Sequence, residues 1–277
     1  MFNLLCSARI LLIACLLSQT ISTGFGAEVT GCKPGSGYVL YANDHGQSDD
    51  SSNLYVLNLY LRNTELAYPL NLGETGIREM TDIAFLPDGK LFGVTFTRLV
   101  AIDTVTRQGE FVGDIIGEAY LSEERWINAL AASVDGQLYA ATRDGELLTI
   151  DTETGQGNKV GVYGNDLGSS GDLVFLPNGT LYGTARQLNT LEEATDLLIR
   201  IDPHSGQAEI IGDIGFKQVF SLAVGPRDEL LGVADGNGRP LLIKINKHNG
   251  KGRLIAPLPD TDGMWGMISR DLCADHR

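Results

Sequence analysis

Residues 81–95 read TDIAFLPDGKLFGVT, and three later stretches align with them without gaps. These are NALAASVDGQLYAAT (128–142), GDLVFLPNGTLYGTA (171–185) and FSLAVGPRDELLGVA (220–234). Every copy reads as an apolar strand, a tight turn and a second strand with alternating apolar residues, and three of the four copies carry Asp-Gly or Asn-Gly in the turn. This pattern predicts a β-hairpin in each copy.

A second strand-turn-strand unit follows each hairpin. Its four copies are LVAIDTVTRQGEFVGDI (99–115), LLTIDTETGQGNKVGVY (147–163), LIRIDPHSGQAEIIGDI (198–214) and LIKINKHNGKGRLIAPL (242–258). The chain therefore repeats four predicted strands about every 40–50 residues, without a helical pattern in between. Such a repeat is typical of the blades of a β-propeller.

The two ends of the chain supply the parts of one further blade. GYVLYAND (37–44) matches the outgoing strand of the hairpin, and LYVLNLYLRNTELAYPL (54–70) matches the second unit. GMWGMISR (263–270) supplies the missing innermost strand. We therefore predict an all-β, five-bladed β-propeller of four-stranded antiparallel blades, whose ring is closed by N- and C-terminal strands that share one blade. Four or six blades are the alternative counts for a propeller of this size.

The repeat can be written D-(I/L)-x-F-x-P-(D/N)-G-x-L-(F/Y)-G, followed by L-x-x-I-D-x-x-(S/T)-G. It resembles the blades of secreted bacterial propellers of the broad NHL and YVTN-like superfamily, and the resemblance extends over residues 37–270. What it implies is the fold. It implies little about activity, because such scaffolds carry many unrelated functions.

Residues 1–27 have the layout of a signal peptide, in which Arg9 precedes the apolar run ILLIACLL (10–17). The run is shorter than the roughly 20 apolar residues that a transmembrane helix needs, so we expect no membrane span. We assign residues 28–277 to a single β-propeller domain and expect the protein to be secreted or periplasmic. A lipoprotein anchored through Cys15 is the alternative.

The charge balance is acidic, with 35 Asp and Glu residues against 21 Lys and Arg residues and a formal net charge of −14. This average field repels nucleic acids and anionic membranes, so we expect neither as a partner. Basic proteins or cationic ligands fit better.

Two cysteines remain after the predicted signal, Cys32 and Cys273, one near each end of the chain. In the predicted ring closure both lie in the hairpin turn that joins the last strand to the first. Because an extracytoplasmic compartment permits disulfides, we expect a Cys32–Cys273 bond that clamps the ring. Free or intermolecular thiols are the alternatives.

Three neighbouring blades carry the longest predicted loops on one face: NDHGQSDDSS (43–52), RQLNTLEEATD (186–196) and DGNGRP (235–240). These loops and the last connection are rich in carboxylates, and Ca²⁺ prefers several oxygen ligands. The candidate ligands are Asp44, Asp49, Asp50, Asp260 and Asp262. The alternative is a solvated acidic rim without any cofactor.

The residues around the starts of the innermost strands surround the mouth of the predicted channel. Asp82 and Asp172 occupy equivalent positions in two blades, and Trp126 and Trp265 lie just before two innermost strands. Rings that stack on a sugar or another flat ligand, beside carboxylates that orient it, form a typical binding pocket. These four are our candidate ligand-binding residues. Alternatively, the rings only pack between blades.

Two classes of function fit these observations. The first is a monomeric, non-enzymatic binding or protein-interaction module that uses its acidic loop face to bind an extracellular protein or a carbohydrate. It is favoured because no motif combines a nucleophile, a base and an orienting group.

The alternative is a hydrolase, either glycosidase-like or lactonase-like, with Asp82 and Asp172 as its catalytic carboxylates and Glu79 or Glu124 as a third group. We expect the carboxylates to lie roughly 8–12 Å apart across the channel, which suits an inverting mechanism. An open, water-filled pair would favour catalysis, whereas a pair tied to backbone amides would be structural.

Overall fold

The computed structural model describes residues 38–45, 50–58, 69–115, 125–189, 194–258 and 263–271. In these ranges the chain forms twenty β-strands, arranged as five four-stranded antiparallel sheets. The predicted five-bladed propeller is therefore confirmed. The described residues contain no α-helix, and so none that is able to cross a membrane.

The strands of each blade are as follows. Blade 1 consists of β1 (Tyr38–Asn43), β2 (Asn53–Asn58), β3 (Leu70–Glu74) and β20 (Gly266–Asp271). Blade 2 consists of β4 (Met80–Phe85), β5 (Leu91–Thr95), β6 (Arg98–Ile102) and β7 (Gly109–Asp114). Blade 3 consists of β8 (Ile127–Ala132), β9 (Leu138–Thr142), β10 (Glu146–Ile150) and β11 (Gly157–Val162). Blade 4 consists of β12 (Leu167–Phe175), β13 (Leu181–Gln187), β14 (Leu197–Ile201) and β15 (Ala208–Asp213), and blade 5 of β16 (Val219–Val224), β17 (Leu230–Asp235), β18 (Pro240–Ile245) and β19 (Gly252–Pro257).

The ring closes through the last strand, as predicted. β20 pairs antiparallel with β1, with a register that runs from Tyr38 opposite Asp271 to Asn43 opposite Gly266. The five innermost strands, β4, β8, β12, β16 and β20, each contact the innermost strands of both neighbouring blades. Because β20 supplies the innermost strand of blade 1, the first and last described strands complete one sheet.

The hairpin turns have the backbone geometry that their sequences predict. Gly89, Gly136 and Gly179 adopt φ angles of 87°, 89° and 83°. In blade 5 the equivalent residue is Asp228, which adopts φ 57°. The turn type is thus kept without glycine, because aspartate tolerates the left-handed region better than most residues.

The recurrent Asp at the end of the third strand caps a turn. Asp103 accepts hydrogen bonds from the backbone N–H groups of Val105 (2.7 Å) and Thr106 (2.8 Å). Asp151 and Asp202 accept equivalent bonds, and so does Asn246 through Oδ1. These side chains form Asx turns, so their recurrence around the ring has a structural cause and does not indicate a set of ligands.

Apolar side chains fill the interfaces between blades. Each of the hydrophobic clusters among the described residues combines side chains from two neighbouring blades. Leu54 of blade 1, for example, belongs to one cluster with Ile83 and Val100 of blade 2. Full burial of one such side chain is worth about 1.5–3 kcal/mol. Stability is therefore distributed over the blade junctions.

Hydrogen bonds join the blades near the axis, one at every junction. The bonds are Asn43 Nδ2 to Met80 O (2.8 Å), Thr81 Oγ1 to Ile127 O (3.1 Å), Asn128 Nδ2 to Ser169 O (3.1 Å), Thr184 Oγ1 to Val219 O (3.0 Å) and Ser221 Oγ to Met264 O (3.3 Å). Each one connects a polar side chain of one blade to a backbone carbonyl of the next. The junctions are thus fixed in register as well as packed.

The predicted signal peptide, with Cys15, lies outside the described residues, as do Cys32 and Cys273. Cleavage near residue 27, secretion and the disulfide stay predictions.

Candidate binding site at the channel mouth

The connections β1–β2, β5–β6, β9–β10, β13–β14 and β17–β18 lie on one side of the ring together with the links between blades. We call this side the mouth face. Two of its turns are short: residues 96–97 in blade 2 and residues 143–145 in blade 3. In blade 4, β12 has nine residues, whereas β4, β8, β16 and β20 have six each. The hairpin of blade 4 therefore extends further on this face.

Five ring-bearing side chains stack in sequence around the mouth. We call this set the aromatic arc; its members are Trp126, Phe96, His45, Trp265 and Phe220. Their ring centroids are 4.2 Å apart for Trp126 and Phe96, 5.4 Å for Phe96 and His45, 4.1 Å for His45 and Trp265, and 5.3 Å for Trp265 and Phe220. All five side chains are partly exposed. The arc extends over blades 3, 2, 1 and 5.

Neighbouring positions in the repeat bring these rings together. Trp126 and Trp265 precede the innermost strands β8 and β20, and Phe220 lies in β16. Phe96 and His45 lie in the turns that follow the second strands of their blades. The two tryptophans were predicted from the sequence as ligand-binding residues, whereas Phe96, His45 and Phe220 were not. For Phe96 and His45, the signal that was missed is that their turns occupy equivalent positions in the neighbouring blades 2 and 1.

The candidate carboxylates Asp82 and Asp172 lie at the axis and are buried, with exposed fractions of 0% and 1%. Four backbone N–H groups donate to them. The bonds are Ile83 N to Asp82 Oδ1 (2.7 Å), Leu130 N to Asp82 Oδ2 (2.5 Å), Leu173 N to Asp172 Oδ1 (2.5 Å) and Leu222 N to Asp172 Oδ2 (2.5 Å). The two carboxyl groups are also hydrogen-bonded to each other.

The layer at the axis has room for only two such side chains. The equivalent positions in the five innermost strands hold Asp82, Ala129, Asp172, Ser221 and Gly266. A Cβ atom on Gly266 would lie 2.4 Å from Asp82 Oδ1 and 2.5 Å from Asn43 Oδ1. The small residues therefore make space for the carboxyl pair, which fills the centre of the ring.

Burial makes ionisation of this pair unfavourable. Burial, followed by the charge and hydrogen bond of Asp172, raises the pKa of Asp82 well above its usual range. Burial also raises the pKa of Asp172 to about 8. A carboxyl in an apolar site favours its neutral form, and two adjacent carboxylates disfavour double ionisation. At neutral pH the pair therefore retains a proton.

The separation expected for an inverting hydrolase is not found. Asp82 and Asp172 are in direct hydrogen-bonded contact rather than roughly 8–12 Å apart, so no water or sugar fits between them. Their oxygens are tied to backbone amides, which is the arrangement expected of a structural pair. Glu79 is exposed and adopts φ 57°, and Glu124 lies in the part of the chain that is not described.

The predicted calcium ligands are only partly described. Asp44 is buried and accepts hydrogen bonds from Asn53 N (2.7 Å), Asn53 Nδ2 (3.0 Å) and Tyr55 OH (2.8 Å). Asp50 is exposed. Asp49, Asp260 and Asp262 fall in the undescribed ranges. Among the described residues no group of three or more His, Cys, Asp and Glu side chains is arranged to hold a metal, so those residues alone do not form a calcium site.

Another acid of the mouth face, Asp196, joins two blades. Its carboxylate accepts a hydrogen bond from Val219 N (2.7 Å) in blade 5, and its exposed fraction is 5%. Burial raises the pKa of Asp196 to about 6 although this bond opposes the shift. This carboxylate is therefore engaged within the fold, and it is not a solvated member of an acidic rim.

No protein-family model and no curated protein sequence matches this chain. Solved structures share its fold at low identity. A protein of unknown function from Bacteroides thetaiotaomicron is 14% identical, with a TM-score of 0.54 over 86% of this chain and 62% of that one. A chain of a nidogen/laminin complex is 11% identical, with a TM-score of 0.51 over 85% of this chain and 98% of that one.

A gluconolactonase from Xanthomonas campestris is 14% identical, with a TM-score of 0.41 over 65% of this chain and 76% of that one. This protein covers 51% and 61% of the lengths of two other matched chains. At such identities the likeness shows the β-propeller fold and nothing about activity.

Proposed function

We propose that this protein is a non-enzymatic binding module that holds its ligand on the mouth face, over the aromatic arc. The observation that carries the proposal is the arc itself, in which five partly exposed rings follow one another around the mouth. Aromatic faces and edges supply large contact areas at a small cost in side-chain entropy, which is why they dominate binding surfaces.

The position of the carboxyl pair supports binding rather than hydrolysis. A general acid or a nucleophile has to reach the substrate, whereas Asp82 and Asp172 are buried and hydrogen-bonded to four backbone amides and to each other. The glycosidase-like or lactonase-like alternative would require this pair to separate. No observation on the described residues favours that opening.

The ligand classes that fit are a carbohydrate and an extracellular protein with a basic or aromatic contact surface. Rings stack on sugars and on planar groups, and the net charge of −14 attracts basic partners over a longer range. The resemblance of the repeat to secreted bacterial propellers supports a location outside the cytoplasm. We further propose that the protein acts as a monomer.

Tryptophan fluorescence tests this proposal directly. The chain has two tryptophans, Trp126 and Trp265, and both belong to the aromatic arc. Titration with a panel of oligosaccharides and of Lys- and Arg-rich peptides should give a saturable change in emission for a true ligand. The same ligand should raise the midpoint of thermal unfolding by mass action.

A pair of variants shows whether the ligand occupies the arc. We expect Trp126→Leu to weaken binding about threefold to tenfold, as loss of an aromatic contact does. Phe175→Leu is the matched control, because Phe175 packs against Tyr139 at the far end of β12, away from the mouth face. A ligand that stabilises the protein without changing its fluorescence, and that binds both variants equally, would place the binding site elsewhere and refute the proposal.

A further inference from the structure

The axis of the ring is closed by a small set of polar groups. Asp82 of blade 2 accepts a hydrogen bond from Leu130 N of blade 3. Asp172 of blade 4 accepts one from Leu222 N of blade 5. The contact between the two carboxyl groups joins these two pairs of blades. The backbone N–H group of Met267, in blade 1, also lies close enough to Asp172 to lower its pKa.

The contact requires a proton. Carboxylate oxygens only accept hydrogen bonds, so a bond between two carboxyl groups exists only when one of them is protonated. Without that proton, two negative charges would face each other in a site from which water is excluded, which is strongly unfavourable.

The groups that face the pair do not compensate for a second negative charge. On the innermost strands, the other titratable residues among those described are Arg270 and Asp271, at the far end of β20. Arg270 lies over the ring of Phe85, with its Cζ 4.8 Å from the ring centroid. From the connecting segments Tyr163 faces Asp172, and burial raises the pKa of this neutral phenol further.

We propose that Asp82 and Asp172 form a proton-dependent clamp at the axis, in which one shared proton holds blades 2 to 5 together and its release loosens the ring. This inference is independent of the binding function proposed above. It assigns the two carboxylates a role in coupling the stability of the ring to pH.

The sign of the coupling follows from linkage. The unfolded chain loses the protons of both carboxyls near the ordinary aspartate pKa of about 4. In the native state Asp172 keeps its proton up to a pKa of about 8, and the pKa of Asp82, the donor within the pair, is raised well above its usual range. In this window the unfolding equilibrium constant should rise about tenfold per pH unit for each retained proton. Stability from the pair is complete below the window and is lost as the pH rises through it. Asp196 adds to the slope only in the lower half, because its pKa is about 6.

The test is denaturant unfolding of the full chain at several values between about pH 5 and pH 9. For the wild-type protein we expect the unfolding constant to rise by at least about tenfold between pH 6.5 and 7.5, with the slope ending above the upper pKa. The double variant Asp82→Asn/Asp172→Asn should lose that slope, since both titrating groups are gone, and each single variant should reduce it because burial still raises the pKa of the remaining carboxyl. Asp103→Asn is the control, because this exposed carboxylate only caps a turn, and it should keep the wild-type slope. A wild-type slope of zero, or a slope that persists undiminished in the double variant, overturns the proposal.

A second measurement avoids the variants, in case they fail to fold. Infrared spectroscopy of the native protein at about pH 7.5 in D₂O should show the carbonyl stretch of a protonated carboxylic acid, because ordinary Asp and Glu are ionised there. The band should disappear on unfolding at the same pH and should remain in Asp196→Asn. Absence of the band from the native protein would show that the carboxyls share no proton, and the clamp would be refuted.

Discussion

Gly266 lies directly against Asp82, so that a Cβ atom on Gly266 would be 2.4 Å from Asp82 Oδ1. The two residues occupy equivalent positions in blades 1 and 2, and their side-chain positions converge on the axis of the ring. Hydrogen bonds from Ile83 N and Leu130 N hold the Asp82 carboxyl in place. The absence of a side chain at residue 266 is therefore a condition for the carboxyl pair to exist.

Gly266→Ala should be strongly destabilising. The added methyl group overlaps Asp82 Oδ1 and Asn43 Oδ1, both buried, and either the carboxyl pair or β20 has to move. Overpacking of this kind costs about 1–3 kcal/mol of unfolding free energy. Ser269→Ala, on the same strand but only half-buried, is the control and should change stability by less than about 0.5 kcal/mol. Equal effects of the two substitutions in denaturant unfolding would show that the axis is not tightly packed.

Gly155→Ala tests the outer rim of the ring. Gly155 has φ 78°, and its Cβ would lie 2.7 Å from Cα of Gly113 in the preceding blade. Gly179→Ala separates the two effects, because Gly179 has φ 83° but no atom within 4 Å of its Cβ position. We expect the control to cost about 1 kcal/mol from backbone strain and Gly155→Ala to cost clearly more. Equal costs in thermal unfolding would mean that the rim yields easily.

Most of the fold is readable from the sequence, because each blade repeats the same local rules. Alternating apolar residues, turn glycines and Asx caps such as Asp103 recur in register, so strand count and ring closure follow from counting units. The exception, Asp228 at a turn position held elsewhere by glycine, did not disturb the assignment because its flanking strands keep the pattern.

The site was less predictable, because it depends on distances across the ring. Asp82 and Asp172 were identified because they occupy equivalent positions in two blades. Their direct contact was not predicted; it is possible because the other equivalent positions hold the small residues Ala129, Ser221 and Gly266. His45 was not among the predicted site residues, yet its ring centroid lies 4.1 Å from that of Trp265. Side chains from separate blades meet only after closure, and the repeat pattern does not encode which of them touch.

The Cys32–Cys273 bond is a prediction that the β1–β20 pairing makes easy to check. Tyr38 lies opposite Asp271 at the end of that pairing, so Cys32 and Cys273 belong to the segments that continue from it. Such a bond would stabilise the ring by about 2–4 kcal/mol through the unfolded state. We expect alkylation without reduction to leave both thiols unlabelled, and reduction to lower the unfolding midpoint. Labelling of both cysteines in the native, unreduced protein would show that the bond is absent.

Glu146 should stabilise blade 3 in a pH-dependent way. Its Oε1 accepts hydrogen bonds from Arg125 Nη2 (2.6 Å) and Lys159 Nζ (2.5 Å). Burial opposes ionisation, but these two bonds outweigh it and hold the pKa of Glu146 below its usual value. Its contribution is therefore present above the ordinary glutamate pKa and is lost as the pH falls through the lowered one.

Glu146→Gln should lower the unfolding free energy at neutral pH by about 1–3 kcal/mol, since charge-assisted bonds to a largely buried carboxylate are lost. Glu209→Gln is the matched control, because Glu209 pairs with Arg200 while both side chains are more than half exposed, and such pairs contribute about 0–1 kcal/mol. The difference between the two variants should shrink as the pH falls below about 4, where protonation removes the charge from wild-type Glu146 as well. A difference that persists unchanged in acid would mean that Glu146 acts through packing, and that its two cationic partners contribute little.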